Sequence, residues 1–271
     1  MRLTKHQGLG NDFLVLMDLT GAHAISRDLA RAVCDRHRGI GADGLLHVTA
    51  GVGAADVTMA LYNADGSRAE MSGNGVRCLG QAVLQAEIRP GPRLRVATDA
   101  GLRTLEILPT DEPHTHVVTV DMGPVDDQGD AIDWVGHGVV AAAWASMGNP
   151  HLVLYAPEPD QAPDVVEVGR IVNDKTPGGA NVEVIAVGPE NDEIILEVYE
   201  RGVGPTLACG TGACAAAAVA HRWGLVGGDV RVRMPGGTAH VTLTDDTILL
   251  GGPTTSIGLI EYPWPVPDRV A

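Results

Sequence analysis

The feature that most constrains this chain is that it repeats itself once. "GNDFLVL" at residues 10–16 returns as "GNPHLVL" at residues 148–154, an offset of 138. "GADGLLHV" at residues 41–48 returns at the same offset as "GANVEVIAV", residues 179–187. The stretch from Asn63 to Gly75 returns as Glu200 to Gly212, shifted by 137. Three matches in one order at nearly one spacing imply two homologous halves, each of the same design.

A length of 271 residues accommodates two domains of ordinary size. Hydrophobic residues make up 45% and aromatics only 3%, so Val, Ala, Leu and Gly must fill the cores. "FLVLMDL", "GLLHVTA" and "VTMALYN" read as strands in the first half, and "HLVLYAP", "NVEVIAV" and "EIILEVYE" in the second. "LRVATDAG", "RTLEIL", "HVVTVDMG", "DVRVRM" and "TAHVTL" read as further strands. Helices are expected over residues 73–86 and 210–223. The second, "GTGACAAAAVAHRW", is apolar on most faces and must be buried, with sheet around it. The expected class is α+β: two pseudo-symmetric domains, each a mainly antiparallel sheet wrapped around a central helix. The first domain spans residues 1–114 and is rejoined by a C-terminal strand, 257–271; the second spans residues 115–256. The seam falls near "PTDEPHTH", residues 109–116, and "TSIGLIEYPWP" is expected to return to the first domain as an edge strand.

A formal charge of −15 argues against a nucleic-acid or anionic-membrane partner, because phosphates repel such a surface. No apolar run reaches the ~18 residues of a membrane span. The start, "MRLTKHQGLGND", lacks a signal-peptide pattern, so a cytoplasmic location is expected. Four cysteines, Cys34, Cys78, Cys209 and Cys214, are too sparse for a disulfide scaffold and form no C-x-x-C pair. No metal site is expected. "GIGADG" at residues 39–44 fits G-x-G-x-x-G, but a helical stretch precedes it and a strand follows, the reverse of a dinucleotide site. The acidic loop with Asp126, Asp127, Asp130 and Asp133 reads as a solvated turn. Lys5 and Lys175 lack the context of a pyridoxal phosphate lysine, so no cofactor is expected.

The chemistry concentrates where the repeat begins its helices. Ser72 precedes "GNG" and Cys209 precedes "GTG". A residue at a helix N-cap sits beside unsatisfied N–H groups and the positive end of the helix dipole. Such a place binds a carboxylate and lowers the pKa of a cysteine, so Cys209 is expected to be poised as a thiolate. Gly-rich helix starts are common and Ser is among the best caps, so Ser72 taken alone reads as structural. The repetition shifts the weight: two such helix starts would set two side chains on opposite sides of one bound molecule. That geometry removes a proton from one face of a carbon and returns one to the other. Cys78 and Cys214 lie too far along their helices to join in.

At these motifs the chain resembles the diaminopimelate epimerase family. The resemblance covers essentially the whole length, through "GLGNDF", "RHRGIGADG", "NADGS-AEM-GNG-RC", "GNPH", "NVE" and "ERG-G-T-ACGTGACA". It implies a diaminopimelate epimerase-like fold with the site between two pseudo-symmetric domains, and a small amino-acid substrate. It implies cofactor-independent two-base chemistry that converts LL-2,6-diaminopimelate to the meso form for lysine and peptidoglycan precursor synthesis. One cysteine takes the α-proton as thiolate and the other protonates the carbanion from behind; the matching positions are Ser72 and Cys209. Gly73, Asn74, Gly210 and Thr211 would hold the reacting carboxylate. Asn63, Asn149, Asn181, Glu200 and Arg201 would recognise the distal amino-acid head, with Asn11 completing the pocket. His151 and Glu200 resemble the residues that tune the acid–base pair. The oligomeric state stays open, with a homodimer as the candidate assembly.

Ser72 is a departure, standing at the position of the family's first cysteine. A serine hydroxyl is far harder to ionise than a thiol and cannot rest as a base without an activator. It can donate a proton, or hold a water that does. Three explanations stay open: a tolerated natural serine, a disabling introduced change, or altered chemistry such as a racemase or dehydratase with one thiol. A non-catalytic ligand-binding homologue is the reading from another class.

Overall fold

The computed structural model describes residues 1–89, 91–158 and 160–263. The chain divides into two compact units, one of residues 1–118 with 253–271 and one of residues 119–252. Both are rich in antiparallel strand and poor in helix.

In the first unit β1 (Arg2–Gly8) turns into β2 (Asn11–Met17) through Leu9 and Gly10. Both turn residues have positive φ, 56° and 80°, the geometry that matches a two-residue turn to the twist of its strands. Gly10 adopts it freely; Leu9, buried at 4% exposure, does so at a local cost. Helix α1 (Arg27–Cys34), capped by Ser26, carries the chain to β3 (Gly44–Ala50), which lies parallel to β2. Then come β4 (Val57–Asn63), the short β5 (Arg68–Ala69), helix α2 (Gly73–Gln85), β6 (Arg93–Thr98) and β7 (Gly101–Pro109). β3–β4, β4–β5 and β6–β7 are antiparallel, and β4–β6 is parallel. Strand β8 (Thr115–Gly123) leads into the second unit.

That unit repeats the series. After β9 (Asp126–Asp130), β10 (Ala141–Ser146) pairs antiparallel with β11 (Pro150–Tyr155). Helix α3 (Val165–Lys175) leads to β12 (Asn181–Val187), parallel to β11 as β3 is to β2. β13 (Glu193–Glu200), β14 (Gly204–Thr206), helix α4 (Gly210–Arg222), β15 (Asp229–Met234) and β16 (Gly237–Leu243) follow. Their pairings reproduce those of β4 to β7, including the parallel β13–β15 pair. The sequence repeat is thus a repeat of topology.

Strand β17 (Ile248–Glu261) pairs with β16 at its start, and its residues 255–261 run antiparallel to β1. The tail expected at an edge has neighbours on both sides where it begins: Ser256 N–H donates to the His114 carbonyl, and Thr255 also pairs with Gln7. Residues 264–271 of the expected strand lie outside the described residues. The acidic stretch expected as a turn is corrected too. Asp126–Asp130 is strand β9 against β10, and Arg222 bonds Asp127 and Asp130 at 2.9 Å each. The run of exposed polar residues hid a strand that is held by its neighbour rather than by a buried face.

Helices α2 and α4 are the most buried of the helices. In α4, Ala213, Cys214, Ala215, Ala216, Ala217 and Ala220 have no exposed surface. Alanine costs least in helix formation, and its small side chain lets neighbouring elements approach closely. In α2 even Arg77 is fully buried. Among the described residues no helix is long and apolar enough to cross a membrane.

Candidate functional site

Ser72 and Cys209 occupy the same structural position, one in each unit. Ser72 caps α2 with an extended backbone (φ −138°, ψ 124°), and its Oγ accepts from Gly75 N at 3.0 Å. Cys209 caps α4 (φ −124°, ψ 118°), and its Sγ accepts from Gly212 N at 3.4 Å. Each side chain therefore satisfies the amide three residues on, as an N-cap should. The amides of Gly210 and Thr211 come too early in the helix to have an intrahelical acceptor.

What lies behind the two caps differs. A Cβ on Gly75 would meet Leu46 Cδ2 and Phe13 Cε1 at 3.4 Å, so the wall there is apolar and uses the chain's single phenylalanine. A Cβ on Gly212 would lie 2.4 Å from Glu183 Oε1. Glu183 and His151 have no exposed surface, and Oε1 of Glu183 lies 2.7 Å from His151 Nδ1. His151 Nε2 faces Asn149 Oδ1 at 3.2 Å, and Asn149 Nδ2 donates to Thr211 Oγ1 at 3.4 Å. Thr211 Oγ1 in turn lies 3.5 Å from Cys209 Sγ. Thr206 Oγ1 donates to Glu200 Oε1 at 2.6 Å.

The other expected residues fall into groups. Asn74 Nδ2 donates to Asn11 Oδ1 at 3.3 Å, and Asn11 Nδ2 to Asp43 Oδ2 at 2.7 Å. The Asn74 carbonyl oxygen accepts from Arg77 at 2.5 Å. Asn63, at the end of β4, donates to Ser67 Oγ at 3.0 Å, within its own turn. Asn181 accepts from the Arg201 backbone at 2.9 Å and donates to the Pro150 carbonyl at 3.2 Å, so its amide fastens three segments. The Arg201 guanidinium is exposed and donates to Gly178 O at 3.3 Å. Gly73 and Gly210 open their helices.

The surroundings of Cys209 oppose the poised thiolate that its cap position suggests. Burial, then the nearby Glu200 and Glu183 carboxylates, hold the thiol well above its ordinary range; the Thr211 hydroxyl and Gly212 amide oppose this without reversing it. Burial also raises Glu200, against hydrogen bonds from Thr206 and Cys209. Cys78, as expected for a core thiol, is pushed up to about 12 by burial.

The model of the diaminopimelate epimerase family matches residues 3–126 and 143–255. The diaminopimelate epimerase of Heliobacterium modesticaldum is 36% identical, over 97% of this chain and 100% of its own. That of Mycobacteroides abscessus is 39% identical over 97% of each chain. The chain belongs to the diaminopimelate epimerase family. Its fold extends further than its sequence. A hydroxyproline epimerase from Agrobacterium vitis superposes with a TM-score of 0.72 at 17% identity, covering 96% of this chain and 91% of the other. A phenazine biosynthesis protein of the PhzF family from Bacillus anthracis gives 0.74 at 15%, covering 97% and 99%.

Within this epimerase-family chain, Glu183 of "NVE" is a buried residue beside the Cys209 cap that the motifs alone do not single out. The available signal was a carboxylate among apolar neighbours in "NVEVIAV", a placement that demands a buried partner.

Proposed function

We propose that this protein inverts one α-carbon of LL-2,6-diaminopimelate to give the meso isomer, by proton transfer without a cofactor. The observation that carries the reading is the family match across both halves, with relatives of the same length named diaminopimelate epimerase. The product class serves lysine and peptidoglycan precursor synthesis, and a cytoplasmic location goes with it. Each half is taken as a sheet wrapped around its buried helix, α2 or α4, an arrangement supported by the burial of both helices.

In this reading the substrate α-carboxylate rests on the first-turn amides of Gly73 and Asn74 and of Gly210 and Thr211, where N–H groups and helix dipoles favour an anion. Asn11, Asn63, Asn149, Asn181, Glu200 and Arg201 orient the amino-acid groups. Arg201 suits a carboxylate, which a guanidinium pairs in bidentate fashion. Glu200 suits an ammonium. A cation arriving there offsets one of the charges that keep Cys209 protonated, so binding itself brings the thiolate within reach. Cys209 then serves one face of the α-carbon. At the other, Ser72 or a water on its hydroxyl returns a proton but is a poor base, so α-proton exchange of the isomer that presents its proton to Cys209 outpaces inversion.

Incubation in D₂O with the LL and meso isomers tests the proposal. Deuterium entering Cα of at least one isomer is expected. Binding of both isomers without deuterium in either would overturn the epimerase reading and leave a ligand-binding homologue.

A further inference from the structure

Glu183 is a carboxylate with no exposed surface on a strand of apolar neighbours, β12. Burying such a charge is unfavourable unless its partners are specific. Its Oε1 takes His151 Nδ1 at 2.7 Å, while its Oε2 has no hydrogen-bond partner among the described residues. From there a chain of contacts runs to the sulfur: His151 Nε2 to Asn149 Oδ1, Asn149 Nδ2 to Thr211 Oγ1, Thr211 Oγ1 to Cys209 Sγ. Every residue of this chain lies in the second unit. Around the first helix start the wall behind the cap is Phe13 and Leu46, which can carry no such chain.

We infer that Glu183 is a positioning residue: by anchoring the His151 ring it sets the Asn149 amide, and through it aims the Thr211 hydroxyl at the Cys209 sulfur. The Asn149 carbonyl oxygen accepts from Nε2, so that nitrogen carries a hydrogen, and Glu183 bonded at Nδ1 stops the ring from turning over. The ring then dictates which end of the Asn149 amide faces it. With its oxygen accepting from that amide, the single Thr211 hydroxyl hydrogen is left to point at Sγ, where it supports a thiolate. A carboxamide does not pass protons along readily, so the chain aims and does not conduct. The inference concerns the geometry of Cys209; its effect on turnover rests on the epimerase reading above.

Two variants of the full chain separate anchoring from charge. Glu183→Gln keeps a hydrogen-bond partner for Nδ1 at the same reach without the charge; Glu183→Asp keeps the charge but withdraws it by one methylene. The readouts are the imidazole ¹⁵N signals of His151 in the free protein and deuterium incorporation at Cα of both isomers. In Glu183→Gln, one dominant pattern with hydrogen on Nε2 and exchange within ~10-fold of the parent are expected. In Glu183→Asp, a mixed pattern and a kcat for exchange lower by ~10–100-fold, with KM little changed, are expected. Equal losses in both variants, or an unchanged His151 pattern in Glu183→Asp, would refute the inference. Should the parent exchange neither isomer while the His151 patterns separate as stated, the anchor stands and the epimerase reading falls. The Gln variant is nearly isosteric, so the comparison survives if Glu183→Asp folds poorly.

Discussion

His151 and Glu183 are joined at 2.7 Å with neither side chain exposed, directly beneath the helix turn that begins at Cys209. The corresponding place in the first unit is filled by Phe13 and Leu46. Two helix starts of the same backbone geometry therefore differ in what stands behind them, apolar side chains in one and a buried His–Glu pair in the other.

Replacing Ser72 by Cys restores an ionisable group at the first cap while keeping its size and capping role. Interconversion of the LL and meso isomers is expected to rise by ~10²–10⁴-fold, the usual worth of a positioned acid or base. Measured rates in both directions check this; a change below tenfold would mean that residue 72 does not take part.

Cys209→Ser leaves a hydroxyl at both caps. Deuterium exchange of either isomer is expected to fall by ~10²–10⁴-fold, while calorimetry still detects substrate binding. The cap survives, so thermal unfolding is expected to stay close to that of the parent.

The glycines three residues beyond the caps respond unequally to the same change. Gly212→Ala forces a methyl to 2.4 Å from Glu183 Oε1 beside a fully buried anchor, and a loss of ~1–3 kcal/mol is expected in denaturant unfolding. Gly75→Ala meets contacts of 3.2–3.4 Å, which small shifts relieve. The helix preference of alanine, up to ~1 kcal/mol, offsets part of the cost, so this variant is expected to lie within ~1 kcal/mol of the parent.

Acid unfolding has a specific contributor in Asp18. Burial alone would raise this carboxyl, but hydrogen bonds from His47 at 3.0 Å and from the His23 and Ala22 amides at 2.9 and 2.8 Å hold it well below the usual range. A depressed carboxyl stabilises the fold above its unfolded value near ~3.9 and loses that contribution as the pH falls below it. Asp18→Asn is expected to be less stable than the parent at pH 7, with the gap narrowing from about pH 4 downward and still open at about pH 2. Urea titrations across that range decide it.

Much of this was legible in the residues. The strands expected at "GLLHVTA", "VTMALYN", "NVEVIAV", "EIILEVYE" and "DVRVRM" have the bounds of β3, β4, β12, β13 and β15, because alternation and flanking turn formers both mark them. Helices α2 and α4 begin where their Gly-rich starts imply. The state of Cys209 was not legible. A cap position argues for a thiolate, and only the folded strands β12 and β13 bring two carboxylates beside a buried sulfur. β9 escaped for a related reason: its carboxylates carry no apolar alternation, and its partner β10 supplies the order.

The pairing of β17 with β1 also sets a timetable. The Met1 ammonium donates to the Tyr262 carbonyl at 2.7 Å, and the Tyr262 amide returns a bond to the Met1 carbonyl at 2.8 Å. Residues 119–252 form an uninterrupted unit, whereas the unit containing residue 1 is closed by residues beyond 252. On a ribosome, the half made second has all its strands before the half made first, whose opening strand waits for residues 255–261 to emerge.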